Sequence, residues 1–249
     1  MNTRSQRVLL ADIVEWDVAN WAPALWYWTQ HSALSPTGCR ALEIGSRHGG
    51  LSLWLALRGA HVVCSDLDGP TDVAIEKHQR YGVSARITYE DIDALNIPYD
   101  NAFDIIVMKS VLGGVGRDGH IERQRAAVSQ MYKALKPGGE LWFAENLVGS
   151  PVHRALRGRF VTWGGSWRYL SIAELSSFLS PFEAARCGTR GVMGTLGRTE
   201  RQREILGRLD ALFFNAVVPR RWHYVAFGVA RKPHAQYPGA PDACAASAA

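Results

Sequence analysis

The sequence predicts a doubly wound α/β fold with a mostly parallel sheet. Apolar runs of strand character recur in the first 150 residues, at 41–45, 60–65, 84–89, 103–108 and 139–144. Helical patterns separate several of these runs, at 50–58, 71–81 and 120–136. Strands that alternate with helices pair in parallel through right-handed crossovers, so both faces of the sheet are covered. The chain of 249 residues is long enough to form one such domain with its own core.

The first strand runs directly into a glycine turn, in the stretch ALEIGSRHGG at 41–50. Ligands of open α/β sheets lie beyond the carboxyl ends of the strands, so this turn has the position of a cofactor-binding loop. The dinucleotide pattern G-x-G-x-x-G fits Gly45 and Gly50, but Arg47 takes the middle position and obstructs the approach of a pyrophosphate. No Gly-Lys-Ser or Gly-Lys-Thr follows, which argues against a Walker phosphate loop. A cofactor without a pyrophosphate remains, such as S-adenosylmethionine.

Acidic residues follow the second and third predicted strands. Asp66 ends the strand HVVCSDLD at 61–68 and lies 21 residues after Gly45. A carboxylate there can accept both hydroxyls of a ribose, although Asp66 could instead cap the turn that follows. Asp91, in YEDIDAL, could meet an adenine amino group or be an ordinary loop acid. Their order and spacing favour a nucleoside site.

The later elements complete the sheet. LKPGGELWFAEN at 135–146 indicates a helix end, a Pro-Gly-Gly turn and a buried strand. A helix is expected at 171–179, where Ser171 and Glu174 have capping-box spacing. Two further strand-like runs, 182–187 and 222–231, are separated by a long basic insertion and could close the sheet as an antiparallel pair.

These motifs resemble those of the class I S-adenosylmethionine-dependent methyltransferases of the small-molecule type, over roughly 38–146 and loosely to 232. LEIGSRHGG is similar to the family's first motif, Asp66 to the acid after its second strand, and EDIDALNIP to its adenine-side loop. FDIIVMKSVL and LKPGGELWFAEN are similar to its fourth and fifth strands, and the ending FGVARKP to its last. The resemblance implies a seven-stranded Rossmann-like sheet with the last strand antiparallel, and S-adenosylmethionine as cofactor.

The resemblance also implies a set of cofactor-binding residues. Glu43 would orient water or the methionine amino group, and Gly45 and Gly49 would make room for the methionine moiety. Asp66 would hold the ribose, and Lys109 would lie beside the sulfonium. The full set is Glu43, Gly45, Ser46, Arg47, Gly49, Asp66, Leu67, Asp91, Ile92 and Lys109. The sequence departs from the family at Ser46-Arg47-His48, where small residues are usual.

Methyl transfer to a hydroxyl benefits from a base, because a hydroxyl is a poor nucleophile. The candidate catalytic residues are His120 and His153, although lone histidines are more often surface or packing residues. Glu145-Asn146 stands where metal-dependent O-methyltransferases carry an Asp-Asn pair. Those enzymes also need an acid where this chain has Lys109, so we expect no metal site.

The acceptor is expected to be a hydroxyl of a small molecule or a glycan. Residues 1–150 hold 14 basic and 17 acidic side chains (−3), whereas residues 151–249 hold 14 and 6 (+8). The segment HRALRGRFVTWGGSWRYL, at 153–170, contains four arginines and four aromatic residues, which suits an anionic acceptor or a membrane surface. The resemblance of residues 146–170 to methyltransferases of bacterial surface-polysaccharide pathways favours a glycan. RNA or lipid methylation, and a non-catalytic scaffold, are the alternatives; no nucleic-acid partner is expected.

The remaining expectations concern organisation and location. We expect an N-terminal helical lid at 1–37, a catalytic domain at 38–232 with substrate-side insertions at 147–170 and 188–221, and a disordered tail at 233–249. In the lid, Trp16, Trp21, Trp26 and Trp28 could cover the pocket or simply pack on the sheet. Scattered cysteines without a C-x-x-C pair, and the lack of a signal peptide or an apolar span, favour the cytoplasm, with peripheral membrane contact open.

Overall fold

A computed structural model describes residues 3–160 and 166–234. Seven strands form one sheet in the order β3-β2-β1-β4-β5-β7-β6. The strands are β1 (Arg40–Ile44), β2 (His61–Asp66), β3 (Ile87–Asp91), β4 (Phe103–Lys109), β5 (Leu135–Asn146), β6 (Ala184–Arg190) and β7 (Val225–Arg231). Strands β1 to β5 pair in parallel, and β7 is antiparallel to both of its neighbours, β5 and β6. The predicted fold class is confirmed.

Helices cover both faces of this sheet. They are α1 (Thr3–Val14), α2 (Val18–Trp21), α3 (Pro23–His31), α4 (Gly50–Ala56), α5 (Asp72–Arg80), α6 (Leu112–Val115), α7 (Ile121–Ala134), α8 (Pro151–Phe160), α9 (Ile172–Phe178), α10 (Glu200–Leu209) and α11 (Asn215–Val217). The capping box of Ser171 and Glu174 forms as the spacing predicts. No helix in the described part of the chain is both long and apolar enough to cross a membrane.

Two of the element boundaries that differ from expectation do so for clear local reasons. Strand β3 begins at Ile87 because Ser84–Arg86 form a 3₁₀ turn in front of it. Strand β5 begins at Leu135, before the Pro-Gly-Gly sequence, because Leu135 already pairs with Phe103. The pairing then shifts register and resumes between Ile105 and Glu140, so the expected turn is an irregularity within the strand.

Alternate side chains of the central strands enter two apolar layers. On β4, Ile105 and Val107 face one layer, whereas Ile106 and Met108 face the other. The first layer contains a tryptophan cluster of Trp28, Trp54 and Trp142, whose ring centroids lie 5.8–6.2 Å apart. Trp28 is fully buried, and its indole N–H donates to the carbonyl of Phe143. This layer fixes α3 against the sheet.

The N-terminal tryptophans therefore have different positions. Trp28 is core and Trp21 is buried, but Trp26 is exposed and Trp16 lies at the carboxyl edge of the sheet. A lid made of residues 1–37 stays a prediction. The expected disordered tail at 233–249 lies outside the described residues from 235 onward.

Candidate functional site

The carboxyl ends of β1 and β4 lie side by side at the point where the strand order reverses. The chain leaves β1 toward β2 on one side and leaves β4 toward β5 on the other. Such a switch point opens a crevice in which α/β proteins bind ligands. Here the crevice is bordered by the turn after β1, by Lys109 at the end of β4, and by Glu15 and Trp16 of the N-terminal segment. The cavity that they enclose is about 10 Å³, room for one water molecule.

The turn after β1 requires its glycines. Gly45 and Gly49 both have φ of 68°, the left-handed region that glycine adopts without strain. A Cβ atom at Gly45 would lie 2.7 Å from Val111, and one at Gly49 would lie 2.5 Å from the ring of His78. The packing of the protein itself therefore explains both glycines. Arg47 has φ of 51° in the same turn, so a bulky residue is held there in an unfavourable backbone conformation.

Asp66 holds this turn to the end of β2. Its Oδ2 accepts the backbone N–H of Arg47 at 2.6 Å, and its Oδ1 accepts that of Leu67 at 2.8 Å. The side chain thus has the capping role that the sequence allowed. A carboxylate offers about four acceptor positions, so two remain for a ligand.

Asp91 and Leu67 lie beside Asp66. Asp91 pairs with Asp66 across β2 and β3, and its carboxylate approaches Gly69 so closely that a Cβ there would lie 2.5 Å from Oδ1. Leu67 is 62% exposed, which is high for a leucine that follows a buried strand. Ile92 is buried, and its N–H donates to the carbonyl of Asp66. The residues that the sequence predicts around a nucleoside therefore lie close together. Among them, Asp91 offers a carboxylate and Leu67 an exposed apolar side chain to a ligand.

Glu43, on β1, is buried beside the first turn of α4. Its carboxylate accepts the N–H groups of Leu51 and Ser52 and the hydroxyl of Ser52, at 3.3, 2.7 and 2.6 Å. Burial raises the pKa of Glu43 to about 7, against the lowering effect of these hydrogen bonds. Glu43 satisfies otherwise unpaired N–H groups at the start of the helix. Its role toward a cofactor stays a prediction.

Lys109 is the most unusual ionisable group at the switch point. Its Nζ lies 2.8 Å from the ring centroid of Trp16 and 5.0 Å from that of Trp21. This buried nitrogen has no hydrogen-bond partner within the described ranges. Burial holds the pKa of Lys109 well below its ordinary value, although the charges of Glu15 and Glu43 act in the opposite direction. The next residue, Ser110, has φ of 58°, so the chain leaves β4 in a strained conformation.

The segment that carries Trp16 is strained and firmly anchored. Glu15 and Asp17 flank Trp16 with φ of 72° and 46°, values that few non-glycine residues adopt. Asp17 is buried, accepts the hydroxyl of Tyr224, and donates its own N–H to Glu200 at 2.9 Å. These contacts hold the Trp16 ring over Lys109. Sequence reasoning noted Trp16 only as one of four tryptophans, since nothing in the local pattern predicts this contact.

The two candidate catalytic histidines have different environments. His153 is 2% exposed; its Nδ1 accepts the N–H of Ser150 at 2.9 Å, and its Nε2 lies 2.6 Å from the carbonyl of Val192. Nε2 must therefore carry the proton, and neither nitrogen is left to accept one from a substrate. His120 is exposed and contacts Glu122 at 2.6 Å. Neither histidine lines the switch-point cavity, and their catalytic roles stay predictions.

The other residues that the sequence singles out have structural contacts. Glu145 is fully buried and accepts the N–H groups of Val111, Leu112 and Asn146 at 2.7–2.9 Å, so it anchors the turn after β4. Burial raises the pKa of Glu145 to about 7.

The described ranges contain no group of three or more metal-ligating side chains. In the basic aromatic segment, Arg168 contacts Glu174 and Gln124; residues 161–165 lie outside the described ranges.

Residues 42–143 match a protein family described as "Methyltransferase domain". The chain is 29% identical over 124 residues to a demethylmenaquinone methyltransferase of Clavibacter sepedonicus, covering 49% of this chain and 47% of the relative. It is 28% identical over 119 residues to methyltransferase GfsG of Streptomyces halstedii, covering 45% and 39%. The chain spans less than half the length of either relative.

Solved structures show the same fold at low identity. Phosphoethanolamine N-methyltransferase 2 of Haemonchus contortus, in complex with S-adenosyl-L-methionine, superposes with a TM-score of 0.60 at 21% identity, covering 86% of this chain and 53% of that one. The cyclase SpnF superposes with a TM-score of 0.57 at 18% identity, covering 86% and 80%. The sheet order and the matched domain agree: residues 42–143 match a methyltransferase domain, and the sheet has the fold of the class I S-adenosylmethionine-dependent methyltransferases.

Proposed function

We propose that this chain transfers the methyl group of S-adenosylmethionine to a hydroxyl of a small-molecule or glycan acceptor that carries negative charge. The observation that carries the cofactor half of this proposal is Asp66. It ends β2 beside the glycine turn, and two of its acceptor positions remain after it has fixed that turn. Two ribose hydroxyls would occupy them in charge-assisted hydrogen bonds.

The other residues at the switch point fit the same cofactor. The exposed Leu67 offers an apolar surface to an adenine ring, and Asp91 an acceptor to its amino group. The Nζ of Lys109, which has no hydrogen-bond partner among the described residues, borders the same crevice. The cavity beside Lys109 is only about 10 Å³, so in our proposal Trp16 moves away from Lys109 when the cofactor binds.

When bound, S-adenosylmethionine supplies a methyl group activated by its sulfonium. In transfer to a hydroxyl, the oxygen–carbon bond forms as the carbon–sulfur bond breaks, and the electron pair stays on sulfur. The chain's contribution is to align the partners and to take up the hydroxyl proton. Lys109 replaces the two histidines as our candidate base, because burial lowers its pKa at the end of β4 and so favours the neutral amine.

The basic character of the second half of the chain supports an anionic acceptor. Residues 151–249 carry a formal charge of +8, from 14 basic and 6 acidic residues. Arg154 on α8 is exposed, whereas Arg168 is already engaged by Glu174. Long-range attraction of an anion to such a surface is strong at low salt and screened at physiological salt.

The second candidate function is a non-catalytic scaffold, or an enzyme with this fold that catalyses a reaction other than methyl transfer. The small closed cavity and the arginine in the glycine turn favour it, and the cyclase SpnF shares the fold. A fold by itself does not determine the reaction. Cofactor affinity separates the two candidates.

Calorimetry with S-adenosylhomocysteine tests the proposal. We expect micromolar affinity, about −8 kcal/mol, and a loss of about 1.5–3 kcal/mol on Asp66→Ala, because a charged acceptor is removed. Asp68→Ala is the matched control, since Asp68 is an exposed acid two residues away. A thermal melt of each variant separates loss of ligand contacts from loss of the turn. No binding to the wild-type protein at millimolar ligand would refute the proposal and favour the scaffold.

A further inference from the structure

A second and much larger cavity lies between the N-terminal helices and α10. Its volume is about 1150 Å³, and it is bounded by α1, the α2–α3 pair, α4 and α10. We call it the helical groove. Its apolar lining includes Leu9, Leu10, Leu25, Trp26 and Trp54. The volume exceeds the range of about 300–1,000 Å³ that is usual for small-molecule sites.

The apolar lining of the helical groove is accessible. Trp26 and Trp28 both lie on α3, but Trp26 is 65% exposed whereas Trp28 is fully buried. Leu9 and Leu10 are only half-buried on the groove side of α1. A concave surface lined mainly by apolar side chains is the usual form of a small-molecule site.

Charged side chains around the groove are unbalanced. Arg7, Arg58 and Arg201 line it, and within residues 3–160 and 166–234 none of them has a carboxylate at ion-pair distance. The two acids that line the groove are already engaged. Glu204 pairs with Arg208, and Glu200 accepts from Arg203 and from the N–H of Asp17.

We propose that the helical groove binds a single-chain anionic amphiphile, with its hydrocarbon chain on the apolar lining and its carboxylate at Arg7 and Arg201, while Arg58 lies over the ring of Trp54. An apolar wall with a few convergent cationic groups is the complement of such a ligand. A second copy of this chain fits less well, because a two-fold contact through the groove would bring the same arginines of both copies together. Binding of this kind goes beyond methyl transfer and requires no cofactor.

Hexadecanoate below its micelle concentration is the probe, and calorimetry with native mass spectrometry is the measurement. We expect one molecule per chain, with affinity at least about tenfold above that for hexadecyltrimethylammonium, which has the same chain and the opposite charge. Arg7→Gln with Arg201→Gln should weaken hexadecanoate at least about fivefold. Arg123→Gln on α7, exposed and outside the groove, is the matched control.

Trp26→Ser tests the apolar lining separately. Trp26 is largely exposed, so the fold should survive its loss, and Trp222→Ser is the control at another partly exposed tryptophan. We expect weaker hexadecanoate binding for Trp26→Ser only. Equal affinity for the cationic amphiphile, no effect of the arginine changes, or no binding at all would overturn the proposal. Two further outcomes would also overturn the proposal, if the protein did not bind monomeric hexadecanoate. One is a dimer that forms with increasing protein concentration, and the other is binding to phosphatidylglycerol vesicles.

Discussion

Replacing Lys109 by methionine is expected to stabilise the folded protein while it removes the candidate base. Methionine keeps the length and the apolar stem of lysine but has no ammonium group. The Nζ that disappears is buried and has no hydrogen-bond partner in the described ranges. It contacts the face of Trp16, which a thioether also contacts favourably.

The magnitude follows from two opposing terms. An unsatisfied buried polar group costs about 1–3 kcal/mol, whereas a desolvated cation–π contact stabilises by up to about 2 kcal/mol. The pKa of Lys109 is held well below 10.5, with burial as the largest cause, which indicates that desolvation outweighs the attraction of Glu15 and Glu43. We therefore expect a net gain of about 1–2 kcal/mol, or about 2–8 °C in Tm for a chain of this size.

The pH dependence of the free energy of unfolding tests independently whether Lys109→Met is more stable than the wild type. Because the folded pKa of Lys109 lies below 10.5, the unfolded chain binds more protons between the two values. Wild-type stability must rise with pH through that window, and Lys109→Met should lose this contribution. The Tm advantage of the variant should therefore be larger near pH 7 than near pH 10.

Differential scanning calorimetry at both pH values is the assay. Lys133→Met is the control, because Lys133 is an exposed lysine on α7 for which no comparable change is expected. A variant that melts lower than the wild type would show that Trp16 and the neighbouring acids stabilise the ammonium, and would refute the reasoning. An advantage that does not change with pH would refute it as well.

Two further predictions concern buried side chains that the sequence placed near the chemistry. His153→Ala should lower stability by about 2–3 kcal/mol, because the contacts with Ser150 and Val192 are lost; turnover per folded molecule should be unchanged, and a large loss of turnover would restore a catalytic role. Glu145→Gln should flatten the pH dependence of stability between about pH 4.5 and 7. Burial raises the pKa of Glu145 to about 7, so wild-type stability should fall by up to about 3 kcal/mol as pH rises through this range; unchanged melts across it would contradict this.

The sheet was predictable from the sequence because its strands are buried on both faces. Ile105, Ile106 and Val107 are all fully buried, so β4 reads as a continuous apolar run that no exposed helix would carry. The ends of strands were less predictable, because they depend on partners. Leu135 belongs to β5 only through its pairing with Phe103 across a register shift, and no local pattern contains that information.

The candidate site was predictable only where its residues are close together in the sequence. The glycine turn and Asp66 follow from the order of strand, turn and strand, and the structure brings them together. His153 is a candidate because its segment follows the fifth strand near the expected mouth of the site, but the carbonyl that occupies its Nε2 comes from Val192, 39 residues later. Trp16 and Lys109 are 93 residues apart (109 − 16), and their contact exists only in three dimensions.

The segment that carries Trp16 is stabilised by the hydrogen bonds of Asp17 and destabilised by desolvation and backbone strain. Asp17 anchors the segment through Tyr224 and Asn20, yet burial raises the pKa of Asp17 to about 6, so its carboxylate is kept charged near neutral pH at a cost. The left-handed backbone of Glu15 and Asp17 adds strain of about 1–3 kcal/mol for each residue. Moving the segment would release that strain and expose both Asp17 and Lys109 to water. Strain and desolvation therefore lower the free energy needed to move the segment, whereas the loss of the hydrogen bonds of Asp17 with Tyr224 and Glu200 raises it.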